Sequence, residues 1–157
     1  MNAHLWDQEM QPYRHRLQNI PPSGRLALAV TVMDRTLEEM GPLQPGVVRD
    51  YLTASMRVAH ADVRAGAGEL TLSEDALDAW NDVDDQADES GTTHVMSAVL
   101  ACADAPGGLS GEVLYGVLSF CYEAVRERFE ESEGGPEARC GAAIAFQKAR
   151  VMELLGV

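Results

Sequence analysis

The stretch RLALAVTVMDRTLEEM, residues 25–40, decides the fold class. Leu26, Val30, Met33, Leu37 and Met40 recur at steps of four, three, four and three, the spacing that lines one face of a helix. Gly41-Pro42 stops it. The same period returns further along. Val48, Leu52, Ser55, Ala59 and Val63 share a face over about 47–65, ahead of Gly66 and Gly68. Leu114, Leu118, Cys121 and Val125 do so over about 111–131, and Cys140, Ile144, Val151 and Leu155 over about 136–155, where Pro136 suits a first helical turn. Residues 95–103, within HVMSAVLACADA, are nearly all apolar or small, which places that helix in the middle of a bundle. The start, Asn2 to Gln18, reads as a helix interrupted by Pro12.

Turn signals separate these segments at residues 20–24 and at Ala105-Pro106-Gly107-Gly108 and Gly134-Gly135-Pro136. No run of alternating β-branched residues and no Asn-Gly hairpin occurs. The expected architecture is all-α, a compact single-domain bundle of six or seven mostly antiparallel helices over residues 1–157.

Size and composition agree. A chain of 157 residues with 46% hydrophobic content buries most of its unfolded surface as one domain. No apolar run approaches the ~18 residues that span a bilayer. The N-terminus lacks the basic and apolar regions of a secretory signal, so the expected compartment is the cytoplasm. Cys102, Cys121 and Cys140 are odd in number, lack a C-x-x-C pair and fall on apolar helix faces, where a reduced thiol acts as a small hydrophobe. One Lys against eleven Arg, with abundant Ala and Gly, suits a GC-rich bacterial genome.

The net charge of −13 is unevenly placed. Residues 1–70 hold 8 acids and 7 bases, residues 134–157 hold 2 and 3, and residues 71–133 hold 15 and 2. The excess lies in the middle of the chain. Such a field repels nucleic acid and anionic membrane and steers cationic partners. Its densest part is EDALDAWNDVDDQADE, Glu74 to Glu89, in which eight of sixteen residues are acidic. Thr71-Leu72-Ser73-Glu74 fits a capping box opening this helix, with Thr71 as the cap. On a helix, Asp75, Asp78, Asp82, Asp85 and Glu89 form one stripe, while Ala76, Leu77, Trp80, Val83 and Ala87 fall on the other side. Like charges at these spacings destabilise a helix by about 0.2–0.5 kcal/mol per pair, and no Lys or Arg is interleaved to relieve them. A second acidic patch, Glu123, Glu127, Glu130, Glu131 and Glu133, belongs to a helix that could lie alongside. The candidate partner-binding set is therefore Asp75, Asp78, Asp82, Asp85, Asp88 and Glu89, with Trp80 as support beneath or as a contact, and with Glu127, Glu130 and Glu131.

Catalytic constellations are thin, and neither an enzymatic activity nor a cofactor is expected. Asp84-Asp85-Gln86-Ala87-Asp88 matches the D-D-x-x-D with which isoprenoid synthases hold magnesium and diphosphate, but no second motif on another helix completes it. A metal-dependent hydrolase or diphosphate-binding enzyme using Asp84, Asp85 and Asp88 is the alternative reading. His4, His15, His60 and His94 are scattered singly, without H-x-x-x-H or E-x-x-H spacing.

The segments RLALAVTVMDRTLEEM, ALDAWNDV and HVMSAVLACADA together resemble a family of small all-helical bacterial proteins of largely unknown function. Asp34-Arg35 ending an apolar helix, and Leu77-Asp78-Ala79-Trp80 preceding a buried Ala-rich helix, carry the likeness. The resemblance implies a helical fold and no established catalytic residues. Because related members act as immunity proteins in toxin loci, it also implies an inhibitor that neutralises a basic partner, such as a toxin, through the acidic helix face.

Overall fold

Helix α6 (Gly111–Arg128) has almost no face left for solvent. Ser110 caps it, its hydroxyl accepting from the Val113 amide at 3.1 Å. Leu114, Leu118, Cys121 and Val125 are buried as their spacing predicts, and so are Tyr115, Val117, Tyr122 and Ala124. Around α6 pack α5 (Thr92–Ala103), α2 (Pro22–Met40), α7 (Glu137–Leu155) and a 3-10 turn at His15–Asn19. The structure is a computed structural model describing residues 4–157, and its regular elements are helical throughout, an all-α bundle with seven α-helices among the described residues. None of these helices is long and apolar enough to cross a membrane.

The central position falls to α6 rather than to α5. Val95, Met96, Ala98, Val99 and Cys102 of α5 are buried, whereas Ser97, Leu100 and Ala101 stay half-exposed. Small side chains make a helix read as fully apolar without requiring cover on every side. Gly91, just before α5, shows how tightly the two helices meet. Its φ is +88°, and a Cβ there would lie 2.6 Å from the Ala124 carbonyl oxygen of α6. All three cysteines are free and buried. Burial pushes the Cys102 thiol up, and lifts the Cys121 thiol to about 12, so both remain protonated and inert at neutral pH.

Of the interrupted first helix, Asn2 and Ala3 lie outside the described residues. From Leu5 the reading holds in part: α1 (Leu5–Met10) gives way at Pro12 to 3-10 turns over Gln11–Tyr13 and His15–Asn19. Trp6 anchors this segment. Its indole N–H donates to Gln147 Oε1 at 2.7 Å, and Gln147 Nε2 donates to the Leu118 carbonyl at 3.0 Å, so one buried amide joins α1, α6 and α7. Trp6 also meets Tyr115, with ring centroids 4.8 Å apart.

Arg25, in the first turns of α2, is 5% exposed and has no carboxylate partner within ion-pair distance among the described residues. Its guanidinium instead donates to the carbonyls of Leu109, Ile20 and Gln18, the last two at 2.6 and 3.1 Å. A planar fork with donors on several edges suits such a divergent set of acceptors; an ammonium does not.

Helix α3 (Val47–Arg64) buries Leu52, Ser55, Met56 and Ala59, with Val48 and Val63 half-buried as expected. The cap of α4 (Glu74–Asp85) differs from the sequence reading. Ser73 is the cap, accepting from the Ala76 amide at 3.1 Å. Thr71 lies outside, its amide and hydroxyl donating to the Asp62 carboxylate at 2.7 and 2.8 Å. An ionised acceptor on α3 outcompetes a local cap for Thr71.

Replacing Arg25 by Met should lower the unfolding free energy by about 3 kcal/mol, since charge-assisted hydrogen bonds are lost and buried carbonyls are left unpaired. Urea denaturation measures this, with Arg25→Lys falling between the two. A Met variant as stable as the wild type would remove Arg25 from the framework.

Candidate functional site

Helix α4 is held to the body by a few directed contacts. The Tyr51 hydroxyl donates to the Ala76 carbonyl at 2.8 Å, and the Trp80 indole donates to the Met96 carbonyl at 2.9 Å. Val83 is buried, and Ala79 and Trp80 are half-buried against the core. The indole N–H is thus spent inward and Trp80 supports the face from beneath. Leu77, assigned to the buried side by its spacing, is instead 39% exposed among the carboxylates. The apolar stripe of α4 is narrow, because the helix rests mainly on α3 and α5.

Asp75, Asp78, Asp82 and Asp85 are exposed along this helix. Among the described residues, none of the four makes a hydrogen bond or ion pair through its carboxylate. Acids elsewhere are engaged: Glu112 with Arg14, Asp34 with His60, Glu39 with Arg35, Glu123 with Arg126 and Glu9 with Lys148. The α4 stripe is unrelieved charge.

The stripe stops earlier than the periodicity implied. α4 ends at Asp85, and the Gln86 and Ala87 amides turn back to the carbonyls of Val83 and Asp84. Further acids at a helix C-terminus would oppose the negative end of its dipole, and Ala87 turns into the core. Asp88 is therefore an exposed residue of the following turn, and Glu89 leaves the stripe altogether. One Glu89 oxygen accepts from the Gln44 amide at 2.9 Å and the other from Arg128 Nη1 at 2.7 Å. Arg128 also reaches the Met40 and Ser90 carbonyls. Burial alone would push the Glu89 carboxyl up, but the Gln44 amide and the Arg128 guanidinium outweigh it and hold it below the ordinary range. Glu89 is a tether between loops.

The acids of α6 occupy a separate place. α6 does not lie alongside α4, because α5 packs against both. Glu127 pairs with His94 at 2.9 Å, whereas Glu130 and Glu131 are exposed past the helix end. With Glu127, Arg128, Ser90 and Ser132 they line an open cleft of about 530 Å³. The Glu89–Arg128 pair thus sits at the α6 end rather than on the stripe. Sequence reading missed Arg128, although a lone pair of bases inside a strongly acidic segment is a signal for internal neutralisation.

The D-D-x-x-D residues do not assemble a metal cage. Asp85 faces solvent and Asp88 lies beyond the helix end, while Asp84 is half-buried with its Oδ1 shielded and without a hydrogen-bond partner. Among the described residues, no three His, Cys, Asp or Glu side chains are grouped to hold a metal ion. Burial, with a smaller contribution from Asp85, pushes the Asp84 carboxyl up. Asp84 is a local strain on α4. No protein-family model matches the chain, and neither the curated proteins nor the solved structures provide a match.

Two pH effects of opposite sign follow from these carboxyls. The depressed Glu89 contributes stability above its ordinary value of 4.5, lost as the pH falls through its lower folded value. Glu89→Gln should therefore be less stable than wild type at pH 7, and the gap should narrow on acidification below about pH 4. The raised Asp84 opposes folding above its ordinary value of 3.8, so Asp84→Asn should melt at an equal or higher temperature at pH 7. Thermal melts across pH 3–7 check both.

Proposed function

We propose that this chain is a protein-binding module that receives a basic partner on the exposed face of α4, acting in the cytoplasm as an immunity-type inhibitor of a basic toxin. The observation that carries this reading is the set Asp75, Asp78, Asp82 and Asp85, four carboxylates on one helix face with no partner among the described residues. Their mutual repulsion is relieved when a partner supplies Arg or Lys. Exposed Leu77 adds an apolar contact among them, in keeping with interfaces that set an apolar centre inside a polar rim.

The alternatives for such a charge are weaker here. A solvated face that only maintains solubility is normally interspersed with both signs, and α4 has no base at all. Asp88, Glu130 and Glu131 extend the field around the partner. Glu89 and Glu127, already paired with Arg128 and His94, contribute to the field but are not free to clasp a new cation. Trp80 acts by keeping the face flat and anchored.

Association should be electrostatically steered, with on-rates raised by about 10–10³-fold over a neutral surface and falling steeply with salt. The test is a pull-down from the source cell's lysate with the wild-type chain and an Asp78→Lys, Asp82→Lys, Asp85→Lys variant as parallel baits, eluted by a salt step. One basic protein should elute from the wild type and be absent from the variant, whose melting temperature should be equal or higher. Equal capture by both baits would overturn the assignment of this face.

A further inference from the structure

The bundle carries a second kind of surface. Between α2 and α3, closed at one end by the loop after Gly41, lies an open cleft of about 420 Å³. Its floor is apolar: Leu52 and Met56 of α3 are 2% and 7% exposed, and Leu37 and Leu43 are half-buried beside them. Its rim is basic. Arg49, Thr53 and Arg57 stand at i, i+4 and i+8 on α3, so that two guanidinium-bearing chains flank one hydroxyl along the edge.

These cations are not consumed by the protein. Arg57 makes no hydrogen bond or ion pair with any described residue. Arg49 has only its exposed neighbour Asp50, at 3.6 Å, too loose for a strong pair. The one carboxylate lining the cleft, Asp34, is held by His60 Nε2 at 3.0 Å. Weakly engaged Arg around an apolar hollow stands out in a chain of net charge −13.

We infer that the α2–α3 cleft binds a small organic anion with an apolar body, a medium-chain or aromatic carboxylate. The volume is within the roughly 300–1,000 Å³ typical of small-molecule sites. The headgroup lies between Arg49 and Arg57, where guanidinium and carboxylate meet through charge-assisted hydrogen bonds, with the Thr53 hydroxyl between them. The hydrocarbon covers Leu37, Leu52 and Met56, removing apolar surface from water. An anionic bilayer presents the same headgroup chemistry, but the protein's overall negative charge repels it, so a free acid is the occupant. This site is independent of the acidic α4 face.

Calorimetric titration of the whole chain with sodium decanoate, below its micelle concentration, tests the inference. Saturable binding at one site is expected, about tenfold or more weaker in Arg49→Ala, Arg57→Ala, and weaker still in Arg57→Glu. Both arginines are exposed, so these variants fold. Decanol should bind far more weakly than decanoate, and the Asp78→Lys, Asp82→Lys, Asp85→Lys variant should bind decanoate as well as the wild type. No saturable decanoate binding, an affinity unmoved by loss of both arginines, or flotation with phosphatidylserine vesicles without binding of the free acid would each overturn it.

Discussion

The Arg25 guanidinium is where three chain reversals are held together. It takes the carbonyls of Gln18 and Ile20 at the end of the 3-10 turn, and that of Leu109 in the loop before α6. Leu109 in turn donates its amide to Gly68 at 2.8 Å, and Gln18 accepts the Gly111 amide at 2.7 Å. One buried cation thereby ties the entry of α2 to the loop before α6, and through Leu109 to the middle of the α3–α4 loop. A buried charge without a carboxylate is ordinarily costly. Here it is met by carbonyl dipoles at a helix-turn C-terminus, the negative end of that dipole. Directional bonds to backbone also specify geometry more narrowly than an apolar contact of the same size.

With those reversals fixed, α6 becomes the axis and the other helices take positions by how much cover they require. α5 presses small residues against it and leaves Leu100 and Ala101 half-exposed. α7 brings the Gln147 amide that satisfies Trp6. α4, resting on α3 and α5, has the least apolar surface to bury and can therefore carry charge that a central helix could not. The segregation of function follows from the packing. Among the described residues, the unpaired acids of the stripe lie on the peripheral α4, and the loosely paired Arg49 and unpaired Arg57 lie on α3 where a loop spaces it from α2.

Much of the fold was legible because helical period is a local property. The 4, 3, 4, 3 spacing of Leu26, Val30, Met33, Leu37 and Met40 locates α2 to within a turn. Caps and ends were less so, since they depend on partners distant in sequence. Thr71 matched a capping box, yet a carboxylate nine residues upstream claimed it. Glu89 fitted the stripe by spacing, yet Arg128 lay within reach only once α6 had folded against the 86–91 turn. The acidic face was legible because charge runs are visible in one dimension. The basic-rimmed cleft was not: Arg49 and Arg57 are separated by two turns, and the apolar floor is completed by Leu37 and Leu43 from other elements.

The Trp6–Gln147–Leu118 link has a bearing on how the chain is made. It joins positions 141 residues apart, and Glu9–Lys148 closes the same seam. A ribosome emits the first side of this seam well before the second. Until residue 147 emerges, the Trp6 indole and one side of α6 lack their partner, and the earlier helices wait as an incompletely covered core. Domains generally fold as units during synthesis. This one has its closing element far downstream of α1, so a product truncated before α7 would present apolar surface rather than a smaller stable domain.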